Sequence, residues 1–522
     1  MGWDWGWTLD FAALRAAFGP EQLVLFEADR DRWYSWRDLN ERASSLAVFL
    51  TGEAGLKKGD RVAVLARNCV EYLDFLFAAV KTGLILVPLN LRLSPGELSE
   101  VLNQTEPRLL AYEDLLEETV SALDRSMLEH LVILKRKKET AGSELPARDY
   151  SKVLAGGKAS FQGPLNLKPS DPLMILFTGG TTGPPKGAVL SHRSVFFNML
   201  SEALSWRLGP ATVFPNLLPF FHTGGWNIGT LPTLFAGGRV LINPSFDPEL
   251  TWRLVEDKRC SFLFAAATMF QMLSSQEGFA RRDLSSLDFV MSGAAPCPWP
   301  VMEPYWEKGV TFVQGYGITE GGPNNLFMPW DGREEELKAR NQSVGKPFLY
   351  CHPRIVGEDG APVKTGELGE LLLGGPVIFS GYWQKPKETG EALRDGFVHT
   401  GDIARQDEEG FYYIVDRKKD MFISGGENVF PVEVEKAMAG HPAVLEAAVI
   451  GVPDEKWGEV GKAFLVLKPG NLLQPEEVRQ YLEGRLARYK IPRHVVFVDS
   501  IPKSGVGKVL KRVLAEKPDG GV

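Results

Sequence analysis

The sequence predicts an α/β protein of more than one domain: a large, layered α/β N-terminal part, a β-rich stretch, and a small α+β C-terminal part. Three observations carry this prediction. Helix-spaced segments alternate with short apolar runs from Tyr34 to about residue 320, the pattern of a largely parallel sheet covered by helices. From about residue 343 the texture changes to short β-like runs with glycine turns at regular spacing. Beyond the charged break Asp416–Asp420 helix-like and strand-like runs alternate again to the end of the chain. A length of 522 residues agrees, since the prior is roughly three domains at about 100–200 residues each.

Element by element, Asp38–Leu50 has helical spacing, Gly59–Ala66 reads as a turn entering a strand, Glu71–Lys81 as a helix and Leu84–Leu89 as a buried strand. Residues 135–170 are polar and read as loop. Leu173–Phe177 is a buried strand, Ala188–Leu190 is apolar, and Ser191 is placed to cap a helix from His192 that runs to Trp206. Glu249–Lys258 reads as a helix and Ser261–Ala267 as a strand. Asp288–Pro296 and Val310–Glu320 are strands that end in small or polar turns, and residues 331–342 are a charged surface segment. In the last part, helices are expected at Val432–Met438 and Pro475–Leu486, with strands at Ala447–Val452, Lys462–Lys468 and His494–Asp499.

Composition narrows the function. A formal charge of −8 argues against a general nucleic-acid surface. The four cysteines lie far apart with no C-x-x-C pattern, which disfavours a disulfide framework or zinc site and fits a reducing cytoplasm. The N-terminus has no basic cluster of a secretory signal, and no apolar run reaches the ~18–20 residues that span a bilayer; peripheral membrane contact stays open.

Polar turns after apolar strands are where open α/β sheets bind ligands. The first is Thr178–Gly187, TGGTTGPPKG. Its glycines let backbone N–H groups approach an anion, and Thr178, Thr181, Thr182 and Lys186 add donors and charge. A polyphosphate loop and a ligand-free Gly/Pro hairpin both fit it. Gly293, Ala294 and Ala295 follow a second strand. Gln314, Gly315, Tyr316, Gly317, Thr319 and Glu320 follow a third, where the carboxylate suits Mg²⁺ beside phosphate and the ring suits stacking on a base, although core packing and helix-end charge account for them equally. Asp402, in a tight turn of the HTGD run, offers an acceptor to ribose or a turn cap, and Arg417 sits at the charged break. Pro502–Arg512, PKSGVGKVLKR, taken alone is an ordinary solvated lysine turn.

Taken together, TGGTTGPPKG, GYGITE, TGD, DRKKD, SGGENVFPVEVE and PKSGVGKVLKR resemble, in order and over about Tyr34 to Leu514, the core motifs of the acyl-adenylate-forming superfamily, in particular long-chain fatty acid–CoA ligases and other acyl-CoA synthetases. The resemblance implies two layered α/β subdomains and a β-barrel-like subdomain in an N-terminal domain, residues 1–416, and a mobile C-terminal domain, residues 417–522. It implies ATP, Mg²⁺ and coenzyme A, with a small carboxylic acid as substrate. Thr178, Gly179, Gly180, Thr181, Thr182, Gly183 and Lys186 would hold the β- and γ-phosphates, Thr319 the α-phosphate and Glu320 the Mg²⁺. Tyr316, between Gly315 and Gly317, would stack on adenine, with Gln314 and the backbone at Gly293, Ala294 and Ala295 at its edge. Asp402 and Arg417 would hold ribose, Lys419 would be the hinge, and Gly425 and Gly426 would line the pantetheine channel. Lys508 would bridge carboxylate and α-phosphate in adenylation only. Gly179 departs from the family's usual serine.

By the same resemblance, His222, Thr223, Gly224, Gly225 and Trp226 would form the acyl pocket, with His222 as its gate. His222 stands where amino-acid-activating relatives place an aspartate, so an α-amino acid lacks its counter-ion. A fatty acid is the first expectation and an aryl or alicyclic acid the second. A carrier-protein ligase, a luciferase-like oxidase and a non-catalytic binding relative are the competing classes. The oligomeric state is open, with a homodimer compatible.

Overall fold

A computed structural model describes residues 10–136, 145–155, 161, 166–178, 185–503 and 509–516. A seven-stranded sheet runs, across its width, through Arg148–Asp149, His130–Leu134, Leu109–Glu113, Arg61–Leu65, Ile85–Pro88, Pro172–Thr178 and Lys186–Ser191. Every pairing in it is parallel except the last, which is an antiparallel hairpin. The helix Val70–Thr82 is buried along almost its whole length and stops at Gly83, whose φ of 73° only glycine adopts easily. The helix Trp36–Val48 starts in a capping box between Ser35 and Asp38. Buried charge beside these helices is paired: Lys81 with Asp10 at 2.7 Å and Arg42 with Asp74 at 2.6 Å.

A four-stranded sheet contains Val213–Asn216, Arg239–Ile242, Leu23–Glu27 and Arg32–Ser35, and a five-stranded one contains Phe262–Ala265, Phe289–Ser292, Phe312–Tyr316, Leu326–Phe327 and Lys346–Pro347. They are joined by an aromatic stack, Phe214 on Phe262 at 4.8 Å and Phe262 on Phe289 at 5.3 Å, and by a 2.8 Å bond from the Ser261 N–H to the Val213 carbonyl. The β-rich stretch forms a five-stranded antiparallel sheet of His352–Val356, Gly369–Gly374, Leu393–Arg394, Phe397–Gln406 and Tyr412–Arg417. The last sheet holds Phe422–Ser424, Glu427–Val429, Val444–Asp454, Gly458–Leu467 and His494–Phe497. It has hydrophobic clusters of its own, one built on Val434, Met438, Val449, Leu465 and Leu482.

Several expectations need correction. Residues 145–155 are not loop: they contain the edge strand Arg148–Asp149 and the helix Tyr150–Ala155, whose Tyr150 hydroxyl donates to buried Asp74 at 2.8 Å. The helix expected over Pro475–Leu486 ends at Leu482, because Glu483 is extended and Gly484 takes a φ of 77°. Asp402 lies within the ten-residue strand Phe397–Gln406 and not in a turn; a register shift just after it interrupts the ladder. Arg417 is the last residue of its strand and the next sheet begins at Phe422, and the boundary expected at 416/417 lies at the end of that strand.

Candidate active site

The phosphate-loop candidate is the tip of the hairpin Pro172–Thr178 and Lys186–Ser191, with Thr178 and Lys186 as its last paired residues. Gly179, Gly180, Thr181, Thr182 and Gly183 lie outside the described residues, as does Lys508. At the hairpin's base the Thr178 hydroxyl is 3.4 Å from Glu320 Oε1. The same carboxylate oxygen accepts the Tyr382 hydroxyl at 2.8 Å, and the Lys186 ammonium lies 5.2 Å from the Tyr382 ring centre. Tyr382 was not singled out in the sequence. It arrives because residues 380–383 run beside the hairpin's outer strand, with Ser380 N–H donating to Val189 and Trp383 N–H to Gly187. Among the described residues no group of three or more His, Cys, Asp or Glu could cage a metal ion. One carboxylate beside a phosphate loop is what Mg²⁺ needs, since that ion keeps waters and takes its other ligands from phosphate; the donor set at Glu320 therefore fits the ion.

The turn Gly315–Gly317 ends the strand Phe312–Tyr316. A side chain at Gly317 is excluded, because its Cβ would sit 1.6 Å from the Pro323 carbonyl oxygen. The Tyr316 hydroxyl donates to Asp402 Oδ2 at 2.5 Å, and Arg417 Nε meets Asp402 Oδ1 at 3.1 Å. Burial, and then the Asp402 charge, hold the Tyr316 phenol well above its usual range, so it remains a donor. Asp402 and Arg417 are register partners on adjacent strands, and Tyr316 closes the triad from the neighbouring layer. Ala294, in the turn after Phe289–Ser292, holds a φ of 70°, a strained backbone for a residue with a Cβ.

Gln314, expected at the adenine edge, makes one hydrogen bond at each end of its amide. Its amide oxygen accepts the Cys297 N–H at 2.7 Å and its amide nitrogen donates to the Asn341 carbonyl. Both ends are occupied, so the side chain staples two loops under the turn.

Below the turn lies a cavity of about 320 Å³. His222, Thr223 and Gly224 line it, together with Gly293, Ala294, Gly315, Tyr316 and Gly317. Gly225 and Trp226 do not. Trp226 is fully buried, stacks on Phe220 with ring centres 4.3 Å apart, and donates its indole N–H to the Phe220 carbonyl. A Cβ on Gly225 would meet the Pro219 carbonyl oxygen at 2.4 Å, so that glycine serves a tight backbone approach. His222 Nδ1 accepts the Gly224 N–H at 3.1 Å, which leaves its proton on Nε2. Burial lowers its pKa to about 4, so the ring is neutral.

Much of the lining was not read from the sequence: Phe246, Phe264, Met269, Met291, Phe348 and Asn324. These positions come from five separate segments, and only the fold collects them. Asn68, also at the wall, accepts the Phe220 N–H at 2.8 Å and donates to the Leu218 carbonyl at 2.9 Å, bracing the His222 segment.

Past Arg417, the Lys419 side chain is exposed, and partial desolvation with the Arg417 charge pulls its pKa down. Asp416 accepts N–H groups of Arg417 at 2.7 Å and of Val432 at 2.8 Å, joining the end of one sheet to the helix Pro431–Ala439. Gly425 and Gly426 form the turn between Phe422–Ser424 and Glu427–Val429 with φ of 61° and 86°. A Cβ on Gly425 would lie 2.9 Å from the exposed ring of Trp457.

This geometry has parallels in known proteins. Residues 13–383 match the model of the AMP-binding enzymes, and residues 433–508 match that of the AMP-binding enzyme C-terminal domain. A feruloyl-CoA synthase of an Amycolatopsis species is 38% identical over 91% of this chain and 92% of its own. A long-chain-fatty-acid–CoA ligase of Mycobacterium tuberculosis is 32% identical over 98% of both chains. The crystal structure of ATP-bound MatB from Rhodopseudomonas palustris superposes with a TM-score of 0.86 at 31% identity, covering 97% of this chain and 98% of that one. The matched models together cover most of the sequence, and the chain belongs to the family of AMP-binding enzymes.

Proposed function

We propose that the protein is an AMP-forming acid–CoA ligase that activates an aromatic carboxylic acid. The carboxylate oxygen attacks the α-phosphorus of ATP, the bond to the β-phosphate oxygen breaks, and pyrophosphate leaves. The coenzyme A sulfur then attacks the acyl carbon and AMP leaves with the carbon–oxygen bond's electrons.

The observation that carries the aromatic reading is the cavity. Its roughly 320 Å³ must serve the nucleotide-side turn Gly315–Gly317 as well as the acyl wall, which suits one flat ring with a short side chain. Phe221, Phe246, Phe264 and Phe348 offer ring faces, and Met269 and Met291 offer polarizable sulfur. The 38% identity to a feruloyl-CoA synthase supports the same substrate class. A fatty acid is the second reading, favoured by Leu217, Leu218, Ile228 and Leu326 in the lining.

Within this function each side chain has a task. Thr178, Lys186 and the loop tip hold the departing pyrophosphate. Tyr316 packs against adenine, and Asp402, held by Tyr316 and Arg417, accepts the ribose hydroxyls. His222, neutral and protonated on Nε2, donates one hydrogen bond to the acid's carboxylate without adding a charge to the cavity. Mg²⁺, when bound at Glu320, neutralises phosphate charge. Lys508 supplies the cation between two anions during adenylation, and Gly425 and Gly426 leave room for the pantetheine arm, with Lys419 as pivot.

The test is pyrophosphate release, with and without coenzyme A, across cinnamic, benzoic, arylacetic and C8–C16 fatty acids. The expected result is a higher kcat/KM for at least one aryl acid than for any fatty acid. A fatty acid that outperforms every aryl acid overturns the aromatic reading, and the absence of release with every acid tested overturns the ligase reading.

A further inference from the structure

Behind the cavity wall lies a buried polar network that the mechanism above does not use. Glu202, on the helix His192–Ser205, is fully buried with no cation in salt-bridge range among the described residues. One of its oxygens accepts the Gly229 N–H at 2.7 Å and the other accepts the Asn324 side-chain amide. Asn324 also donates that amide to the Asn227 carbonyl at 2.8 Å, a carbonyl that takes the Asn198 amide as well, and the Asn324 backbone N–H donates to Asn198 Oδ1 at 3.2 Å. Asn324 lines the cavity.

These contacts determine which way the Asn324 amide faces. A backbone carbonyl only accepts, so the group beside Asn227 must be the NH₂. Both of its protons are then used, on Glu202 and Asn227. Its Oδ1 has no partner among the described residues, and Asn324 is part of the cavity wall. We infer that Glu202, acting as a positioning residue, holds Asn324 with its amide oxygen toward the acyl site, where it selects acids whose ring carries a hydrogen-bond donor. This rests on the reading that the acyl group is aromatic.

The hydrogen-bond count makes the idea testable. Glu202→Gln leaves one acceptor, which the fixed Gly229 N–H claims. The new NH₂ then faces the Asn324 NH₂, and the Asn227 carbonyl, which only accepts, keeps the Asn324 amide from turning over. Asn324 loses one of its two anchors, and the preference for a ring hydroxyl should weaken. Asn324→Leu removes the polar contact at similar volume.

The experiment measures kcat/KM for pyrophosphate release with cinnamate, its three monohydroxy isomers and the matching methoxy acids, in the full-length enzyme. Ratios are taken within one preparation, so partial loss of folded protein cancels. The wild type should favour at least one hydroxy isomer over cinnamate by about tenfold or more, the scale of a buried hydrogen bond. Asn324→Leu should bring that ratio to within about twofold. Glu202→Gln should lower the ratio, by less than Asn324→Leu does. Aryl turnover that ignores the hydroxyl, or a ratio unchanged in Asn324→Leu, overturns the inference alone. An unchanged ratio in Glu202→Gln removes Glu202 from it. Turnover of fatty acids with no aryl acid overturns the aromatic reading and this inference together.

Discussion

The Tyr316 hydroxyl and Asp402 Oδ2 are 2.5 Å apart although their residues are separated by 86 positions and stand on different sheets. The bond joins the turn proposed to face adenine to the carboxylate proposed to face ribose. Tyr316→Phe keeps the ring and removes only this tie. A hydrogen bond to a charged group is worth about 1.5–3 kcal/mol, so the KM for ATP in ATP–pyrophosphate exchange should rise about tenfold or more with a smaller change in kcat. An unchanged KM would show that Arg417 alone orients Asp402.

Tyr382 acts on Glu320 through one hydrogen bond of 2.8 Å. Groups that orient a metal-binding carboxylate typically matter 10- to 100-fold to metal affinity. In Tyr382→Phe the Mg²⁺ concentration for half-maximal adenylation should rise several-fold, with thermal stability close to wild type. A wild-type Mg²⁺ titration would detach Tyr382 from the metal site.

Asp416 is buried and its pKa is pushed up to about 6, chiefly by burial, with Lys511 and the N–H groups of Val432 and Arg417 opposing. A raised carboxyl pKa means that the folded state binds the proton more tightly than the unfolded state does. Stability from this group is therefore greatest below the ordinary value of 3.8, is lost as pH rises to about 6, and is level beyond. The loss amounts to about 3 kcal/mol at most. In Asp416→Asn that slope disappears. The Tm of wild type minus that of the variant should fall between pH 4 and pH 6 and then stay constant; a difference that rises over this window refutes the assignment.

Lys508 lies outside the described residues, and its role comes from the motif alone. Lys508→Ala should lower adenylation at least ~100-fold, the scale of one lost electrostatic donor, while thioester formation from preformed acyl-AMP is spared. Equal loss in both half-reactions would count against a role confined to the first.

The parts of the site that the sequence revealed are the local ones. Ser191 caps its helix as read, its hydroxyl accepting the Ser194 N–H at 3.2 Å, and the turns at Gly315–Gly317 and Gly293–Ala295 follow the strands expected. Close backbone approach demands glycine, and such demands show in any stretch of sequence. The parts that stayed hidden depend on distant pairing. The hairpin Leu23–Ser35 was not read because its first strand is completed by Arg239–Ile242, some two hundred residues away. Trp226 has the look of a pocket residue, but Phe220 and Tyr72 take its ring into the core. The Gln314 partners Cys297 and Asn341 are visible only once the loops are folded. Glu202 and Asn324 carry no motif, and their meaning lies entirely in which polar atoms are left over after the backbone is satisfied.

Arg417 ends its strand, and the chain leaves the sheet directly after it toward Phe422. The arginine that steadies Asp402 is thus also the last mooring before the C-terminal part begins. A change in the Arg417 side chain therefore bears at once on the Asp402 carboxylate and on the end of the strand from which the chain crosses to the next sheet.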